Sequence, residues 1–286
     1  MVILHQGKIL AEQYWEVKGA RSAKYRQRII GQSKQGQAIE DVASAQKSVV
    51  SVLVGIAQEK GLLNIADRVG RHLGTGWSKA TPKQENDITI RHLITMSSGL
   101  TERGTFEAQA GTKWRYNTWA YAQTVSVLEK AAGMDRHELT RQWLTDPLGM
   151  PDSKWVRRGS PELQAINGFG FATSARDLAR FGLMVLADGG WNGKTILGDQ
   201  AYLRDATRTS QKLNPNYGYL WWTGTSESDR GDSAFSGEGI HGQFLYINPA
   251  LNIVIVVWSA RPQPSGGAAI DEWAFFGAVS EALRAR

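Results

Sequence analysis

"VASAQKSVVSVLVG", residues Val42 to Gly55, places a lysine inside a run that is otherwise small or apolar. The apolar residues of this stretch fall on every side of a helical wheel, so the sequence predicts a helix buried all round, from Ser44 to about Gly61. Gly61 stands where a C-terminal cap is expected. An ammonium group in such a helix costs free energy unless it is paired or neutralised. Lys47 therefore needs a chemical explanation.

Ser44 and Lys47 are three residues apart, and residues with this spacing share one face of a helix, about 4.5 Å apart along its axis. Burial lowers the pKa of a lysine from its usual value of about 10.4, which makes a neutral amine available to accept a serine proton. The positive end of the helix favours the same neutral amine and an oxyanion beside Ser44. The pair is thus a candidate nucleophile and base. The alternative without a catalytic role is a Ser-x-x-Lys that occurs by chance and whose lysine reaches solvent from the helix end.

The composition excludes several classes of function. The 286 residues include no cysteine, so the chain has no disulfide, thiolate metal site or cysteine nucleophile. Its 33 Lys and Arg are scattered among 27 Asp and Glu for a net charge of +6, which argues against nucleic-acid binding. The longest apolar run, residues 253–258, is too short to cross a bilayer. The first residues do not resemble a signal peptide, and we expect a cytoplasmic protein without a metal or an organic cofactor.

Strand patterns stand at both ends of the chain. Two extended segments around Gly7 predict a hairpin, and a polar linker follows them. The runs "NYGYLWWTG", "IHGQFLYINP" and "LNIVIVVWSA" predict strands after about Gln211, and a helix closes the chain. The sequence therefore predicts an α+β fold, in which an antiparallel sheet built from N- and C-terminal strands is flanked by helices and carries a mostly helical insertion. We expect one domain over residues 1–286, divided into a sheet region of residues 1–60 and 202–286 and a helical region of residues 61–201.

Two further segments offer partners for the serine and the lysine. "KWRYNTW" places Tyr116 just before a helical pattern, where its phenol can reach into a cleft that Trp114 would help to line. "SGEGIHGQF" places three glycines beside a predicted strand, which lets backbone approach a ligand and present an N–H group to an oxyanion. The plain structural alternatives are a half-buried aromatic residue and a hairpin turn.

The order of these motifs resembles the serine β-lactamase-like hydrolases. Ser44-x-x-Lys47 is followed by "LITMSSGL", "GTKWRYNTWAYA", "GFGFATSARDLARFGLMVL" and "GEGIHGQFLYINP". That superfamily includes class C β-lactamases, DD-peptidases, family VIII carboxylesterases and 6-aminohexanoate-dimer hydrolases, and the last two are the most similar in character. The resemblance runs from the first hairpin to the last helix. It implies the β-lactamase/transpeptidase-like fold.

The resemblance also implies a role for each motif. Ser44 would be the acylated nucleophile, Lys47 its proton partner, and Tyr116 the second acid or base, which serves the leaving group. No other Ser-x-x-Lys and no Gly-x-Ser-x-Gly occurs in the chain, so the nucleophile elbow of α/β-hydrolases is excluded.

The third motif of the family, on the strand that edges the cleft, falls on Gly237, Glu238 and Gly239. The implied oxyanion hole then consists of the backbone N–H groups of Ser44 and Ile240. The three motif residues are accordingly expected to contribute to substrate binding.

Two positions depart from the family pattern. The family often has Tyr-x-Asn in the second motif, whereas Asn117 follows Tyr116 directly, and we expect Thr118 to replace the missing amide contact to the lysine weakly. Penicillin-recognising relatives commonly begin the third motif with Lys or His, a cation for the substrate carboxylate, and Gly237 offers no charge. His241 is either a substitute for that cation or a structural residue. The loss argues against β-lactams and favours neutral esters or amides.

The sequence therefore predicts a serine hydrolase that works through an acyl-enzyme, with a carboxylesterase for short-chain or aromatic esters as the first hypothesis. The alternatives are an amidase or peptidase acting on linear amides such as 6-aminohexanoate dimers, a weak β-lactamase, and an inactive relative that binds an acyl or peptide ligand. The expected partner is a small molecule in every case, and the oligomeric state stays open.

Overall fold

Strands from both ends of the chain pair in the main sheet of the computed structural model, which describes residues 1–15, 28–159, 161–224, 233–258 and 271–285. The strands are β1 (Val2–His5), β2 (Lys8–Glu12), β3 (Ile29–Gln32), β4 (Ala38–Asp41), β5 (Lys154–Arg157), β6 (Phe169–Thr173), β7 (Gly190–Trp191), β8 (Lys194–Thr195), β9 (Trp222–Thr223), β10 (Phe235–Gly239), β11 (Gln243–Asn248) and β12 (Ile253–Trp258). The main sheet has the order β2-β1-β12-β11-β10-β9, and its neighbouring strands are antiparallel. The predicted fold class is confirmed.

Helices fill the middle of the chain and close it. They are α1 (Gln46–Glu59), α2 (Gly70–Leu73), α3 (Pro82–Asn86), α4 (Ile90–Ile94), α5 (Thr118–Ala132), α6 (Arg136–Thr140), α7 (Asp146–Leu148), α8 (Pro161–Asn167), α9 (Ala175–Leu186), α10 (Gln200–Ala206) and α11 (Glu272–Arg284), with a π-helical turn over Arg141–Thr145. The first residues of the predicted closing helix, 268–270, lie outside the described residues. None of the helices in the described ranges is long and apolar enough to cross a membrane.

Both faces of the main sheet are covered, which explains the uninterrupted apolar run of β12. Val254 and Val256 belong to the larger core together with α9, whereas Ile253 and Ile255 belong to a second cluster that includes Phe276 of α11. Successive side chains of a strand point to opposite faces, so each face receives its own helix. The division into two subdomains stays a prediction.

The buried helix begins later than its periodicity predicted. A 3₁₀ turn over Ala43–Ala45 carries Ser44, and α1 starts at Gln46. Ala43 has a positive φ of 48°, a conformation outside the α-helical region, so the α-helix does not extend back over this residue. Every residue from Gln46 to Ala57 is buried, and Gly61 has the positive φ of a C-terminal cap, as predicted.

A second sheet was not predicted. β3 and β4 lie in the segment that the sequence analysis treated as a polar linker, and β5 and β6 lie in the region expected to be helical; they pair in the order β3-β4-β6-β5. These strands have four or five residues each, too few for a clear alternation. The β4–β6 pair, which joins the two hairpins into one sheet, links segments far apart in the sequence, and local patterns do not record it.

The strand predicted for "NYGYLWWTG" was also too long. Only Trp222 and Thr223 form a strand, which pairs with β10, and Tyr217 makes an isolated bridge to Trp222. Leu220 has a φ of 63°, which turns the chain out of an extended conformation just before that pair.

Candidate active site

Ser44 and Lys47 meet at the start of α1. Lys47 Nζ donates to Ser44 Oγ at 3.1 Å and to Thr118 Oγ1 at 3.3 Å. The lysine side chain is almost fully buried, at 2% exposure, and its nitrogen lies 4.8 Å and 4.7 Å from the ring centres of Tyr116 and Tyr121. The ammonium therefore does not reach solvent from the helix end.

The environment makes the lysine a base. Burial lowers the pKa of Lys47 to about 7, and the positive charge of Arg158 acts in the same direction. A neutral amine is thus well populated at neutral pH, one hydrogen bond away from the Ser44 hydroxyl. This arrangement can activate a serine nucleophile without a histidine.

The contact expected for Thr118 is present, and the reason lies in Asn117. Asn117 is the N-cap of α5: its Oδ1 accepts the N–H of Ala120 at 2.9 Å, and its Nδ2 donates to the carbonyls of Leu100 and Thr101 at 2.7 and 3.0 Å. Its amide is therefore fully used in holding the helix and the preceding loop. The hydroxyl of the next residue contacts Lys47 instead.

Tyr116 lies within an aromatic cluster beside the lysine. Its ring stacks on Trp222 with 5.8 Å between the ring centres. The ring of Tyr217 lies edge-on at 6.2 Å, and that of Trp114 is tilted at 6.4 Å. Burial raises the pKa of Tyr116 to about 12, an effect that interaction with the Ser44 hydroxyl partly offsets and that Glu238 adds to. The phenol is thus neutral at physiological pH, which suits a proton donor better than a base.

The third motif packs against the turn that carries the serine. A Cβ at Gly237 would lie 2.7 Å from Ser48 Oγ, and a Cβ at Gly239 would lie 2.7 Å from the carbonyl oxygen of Val42. A side chain at either position would require these neighbouring atoms to shift. The close packing against Ser48 disfavours a Lys or His at position 237. Glu238, between the glycines, is half-buried and accepts a hydrogen bond from Ser236 Oγ at 3.0 Å.

A cavity of about 510 Å³ opens beside Ser44 and Lys47. Thr118, Ile240 and His241 also line it, as the sequence analysis proposed for a substrate site. The remaining proposed substrate residues are not among its lining residues: Trp114 packs behind Tyr116, and Gly237, Glu238 and Gly239 lie along β10.

The surroundings of His241 disfavour the cationic form that the sequence analysis considered. Burial lowers the pKa of the His241 imidazole; Arg28 and Arg158 lower it too, and Asp41 opposes them. The imidazole is therefore largely neutral at neutral pH. Its own carbonyl accepts a hydrogen bond from Arg28 Nη1 at 3.0 Å.

Five charged residues of the cavity were missed by the sequence analysis. They are Arg28, Asp41, Glu102, Arg157 and Arg158. Each of the three arginines donates to a protein acceptor: Arg28 to the His241 carbonyl, Arg157 to Gln164, and Arg158 to Asp41. No motif surrounds them, so only the tertiary structure could have found them.

The family model for β-lactamases matches residues 1–278. The chain belongs to the β-lactamase family. An uncharacterized protein of Alkalihalophilus pseudofirmus is 25% identical over 89% of this chain and 81% of its own length. The 6-aminohexanoate-dimer hydrolase of Paenarthrobacter ureafaciens is 37% identical over 113 residues, which are 34% of this chain and 28% of that protein.

Solved structures agree on the fold. A candidate β-lactamase of Bacteroides dorei has a TM-score of 0.75 at 17% identity, covering 99% of this chain and 91% of its own. A candidate 6-aminohexanoate-dimer hydrolase of Bacillus anthracis has a TM-score of 0.73 at 18% identity over 99% and 78%. EstCE1, a hydrolase with promiscuous acyltransferase activity, has a TM-score of 0.65 at 14% identity over 89% and 86%. The family comprises serine hydrolases, among them esterases, amidases and penicillin-binding proteins.

Reaction of Ser44 with a fluorophosphonate should depend on pH through Lys47. Because the neutral amine is the active form and the pKa of Lys47 is about 7, the labelling rate should fall as the pH decreases from 8 to 5, by tenfold for each unit well below 7. Intact-mass kinetics would measure this rate. A His241→Gln variant is the control and should show the same profile. A rate independent of pH, or an acidic fall that disappears in the control, would contradict the role of Lys47.

Proposed function

We propose that this protein is a carboxylesterase that forms an acyl-enzyme on Ser44. The observation that carries the proposal is the 3.1 Å contact between the Ser44 hydroxyl and a lysine that burial makes neutral near pH 7. A buried amine with such a pKa is costly as a purely structural element and suited to general-base catalysis. Membership of a family of serine hydrolases supports the same reaction.

The proposed reaction has two halves. Ser44 Oγ attacks the ester carbonyl while Lys47 accepts its proton, and the backbone N–H groups of Ser44 and Ile240 stabilise the tetrahedral oxyanion. The neutral phenol of Tyr116 protonates the departing alcohol, and the Lys47 ammonium returns a proton to the phenolate. Water then attacks the acyl group while Lys47 accepts its proton, and the Lys47 ammonium returns this proton to the departing Ser44 oxygen, which gives the carboxylic acid and free Ser44.

The third motif favours a neutral substrate. Position 237 on β10 is a glycine without charge, burial lowers the pKa of His241, and the charge of Arg158 is paired with Asp41. Recognition of a β-lactam or D-Ala-D-Ala carboxylate uses a charged donor. A neutral ester needs none.

Part of the cavity wall is apolar. Side chains from three separate segments line it and stay between 36% and 73% exposed: Ile30, Leu163, Ile166 and Ile240. Exposed apolar side chains that gather around a pocket are typical of a binding site for apolar groups. They support an ester with an aliphatic or aromatic acyl group.

Replacing the nucleophile tests the proposal. Ser44→Ala should abolish hydrolysis of p-nitrophenyl butyrate and labelling by a fluorophosphonate, because it removes the hydroxyl that forms the acyl-enzyme. Ser51→Ala is a matched control on the same buried helix, since the Ser51 hydroxyl is fully buried and has no hydrogen-bond partner; it should retain both. Full activity in Ser44→Ala, or an unlabelled wild-type protein, would refute the acyl-enzyme.

An amidase is the second candidate, favoured by the 37% identity of a 113-residue segment to a 6-aminohexanoate-dimer hydrolase. The relation covers little of either chain, and the ester therefore remains the first proposal. Amines leave less easily than alcohols, so an amidase depends more on protonation of its leaving group.

Tyr116→Phe tests the role of the phenol in leaving-group departure, because the substitution keeps the stacked ring and removes its proton. If the phenol serves the leaving group, kcat should fall by roughly 100-fold on an unactivated amide or alkyl ester and by much less on a p-nitrophenyl ester. The two candidates are then ranked by the wild-type kcat/KM for an alkyl butyrate and for the matching butyramide. An esterase should have the higher value for the ester. Equal losses on all substrates would show that Tyr116 acts on a step other than leaving-group departure.

The exposed apolar side chains of the cavity wall predict a preference in acyl length. Leu163→Ser should reduce the ratio of kcat/KM for p-nitrophenyl hexanoate to that for the acetate by roughly fivefold, since about 1 kcal/mol of apolar contact is lost only for the longer chain. Leu163 is 48% exposed, and Leu213 is 42% exposed outside this cavity, so Leu213→Ser is the control. The idea fails if the ratio is unchanged in Leu163→Ser or falls equally in both variants.

A further inference from the structure

The backbone immediately before the nucleophile has an unfavourable conformation. Ala43 has a φ of 48°, in the left-handed region that residues with a side chain rarely occupy. Such a conformation persists only where its surroundings fix it. Two hydrogen bonds do so: the Val42 N–H donates to the Phe171 carbonyl at 2.9 Å, and the Ala43 N–H donates to Asp41 Oδ1 at 2.9 Å.

The carboxylate of Asp41 is itself fixed by a two-pronged ion pair. Arg158 Nε donates to Asp41 Oδ2 at 2.8 Å, and Arg158 Nη2 donates to Oδ1 at 2.9 Å. Both side chains are largely buried, at 14% and 17% exposure. Gly170 leaves room for the carboxylate, because a Cβ there would lie 2.1 Å from Oδ2. Such a fork holds a carboxylate in one orientation.

The same guanidinium connects the turn to α1. Arg158 Nη2 also contacts Gln46 Oε1 at 3.3 Å, and this oxygen accepts the Phe171 N–H at 2.9 Å. Gln46 Nε2 donates to the Tyr121 hydroxyl at 3.1 Å. The ion pair therefore fixes both sides of Ser44, the turn before it and the first residue of the helix after it.

We infer that Asp41 and Arg158 are positioning residues, an inference that rests on the proposed acyl-enzyme reaction. Their ion pair holds the left-handed turn at Ala43, and so keeps the Ser44 hydroxyl within reach of Lys47. Both residues line the Ser44 cavity, which distinguishes the pair from ion pairs elsewhere on the protein.

A second effect of Arg158 is electrostatic. Its positive charge helps to lower the pKa of Lys47. The other polar groups around the amine are the hydroxyls of Ser44 and Thr118, and the adjacent rings are those of Tyr116 and Tyr121, whose pKa values burial raises so that both stay neutral. Loss of the arginine charge should therefore move the acidic limb of the activity profile to higher pH.

The experiment measures kcat, KM and the pH profile on p-nitrophenyl butyrate, with active sites counted by fluorophosphonate labelling and folding followed by the melting temperature. Arg158→Gln should lower kcat per labelled site by at least tenfold with little change in KM, and should move the acidic limb of the profile to higher pH.

Arg158→Lys keeps the positive charge but cannot form the two-pronged ion pair with Asp41. It should restore the position of the acidic limb but not kcat. Asp41→Asn, which keeps an acceptor for the Ala43 N–H, should lose less kcat than Asp41→Ala.

Arg136 and Glu129 provide the matched control. They form another two-pronged pair, with Arg136 Nε and Nη2 at 2.8 and 3.0 Å from the two carboxylate oxygens and 17% and 25% exposure, and they do not line the Ser44 cavity. Arg136→Gln should lower the melting temperature while leaving kcat per labelled site and the acidic limb in place.

Three results would overturn the inference. Folded Arg158→Gln and Asp41→Ala proteins with wild-type kcat and an unshifted limb would show that the pair is not needed. Equal effects in Arg136→Gln would reduce the role of Arg158 to general stability. A wild-type protein that does not label at all would refute the proposed function and the inference together, whereas an active wild type with unaffected variants refutes the inference alone.

Discussion

Burial of one amine beside one hydroxyl is the constraint on which the rest of the site depends. Lys47 lies on a helix that has no exposed face near its start, and its amine is surrounded by two tyrosine rings and two hydroxyls. Ionising a group in such a place is unfavourable. Packing therefore favours the neutral amine, and among the described groups no carboxylate acts on Lys47 to stabilise its charged form.

A helix, a strand and the second sheet each position a different group of the site. α5 brings Thr118 to the amine through a cap made by Asn117, β10 brings its glycines against the start of α1, and the second sheet brings Asp41 and the arginine that pairs with it. The two sheets thus have different tasks. The main sheet provides the core, whereas the small sheet lies around the turn that presents the nucleophile.

The sequence sufficed where the interacting groups are neighbours along the chain. Ser44 and Lys47 are three residues apart, so helical periodicity alone placed them together, even though the serine lies in a 3₁₀ turn rather than in the helix. Ordered motifs added Tyr116 and Thr118. Arg158 meets Asp41 across 117 positions, and four-residue strands leave almost no periodic signal. Those parts depend on tertiary packing, which a local pattern does not contain.

The glycines of β10 also limit what this site can become. With Ser48 Oγ 2.7 Å from a Cβ at position 237, a larger residue there requires the serine side chain to leave the hydrogen bond that it donates to the Leu220 carbonyl at 3.0 Å. A charged residue at position 237 is therefore coupled to the side chain at position 48, so the two positions would have to vary together.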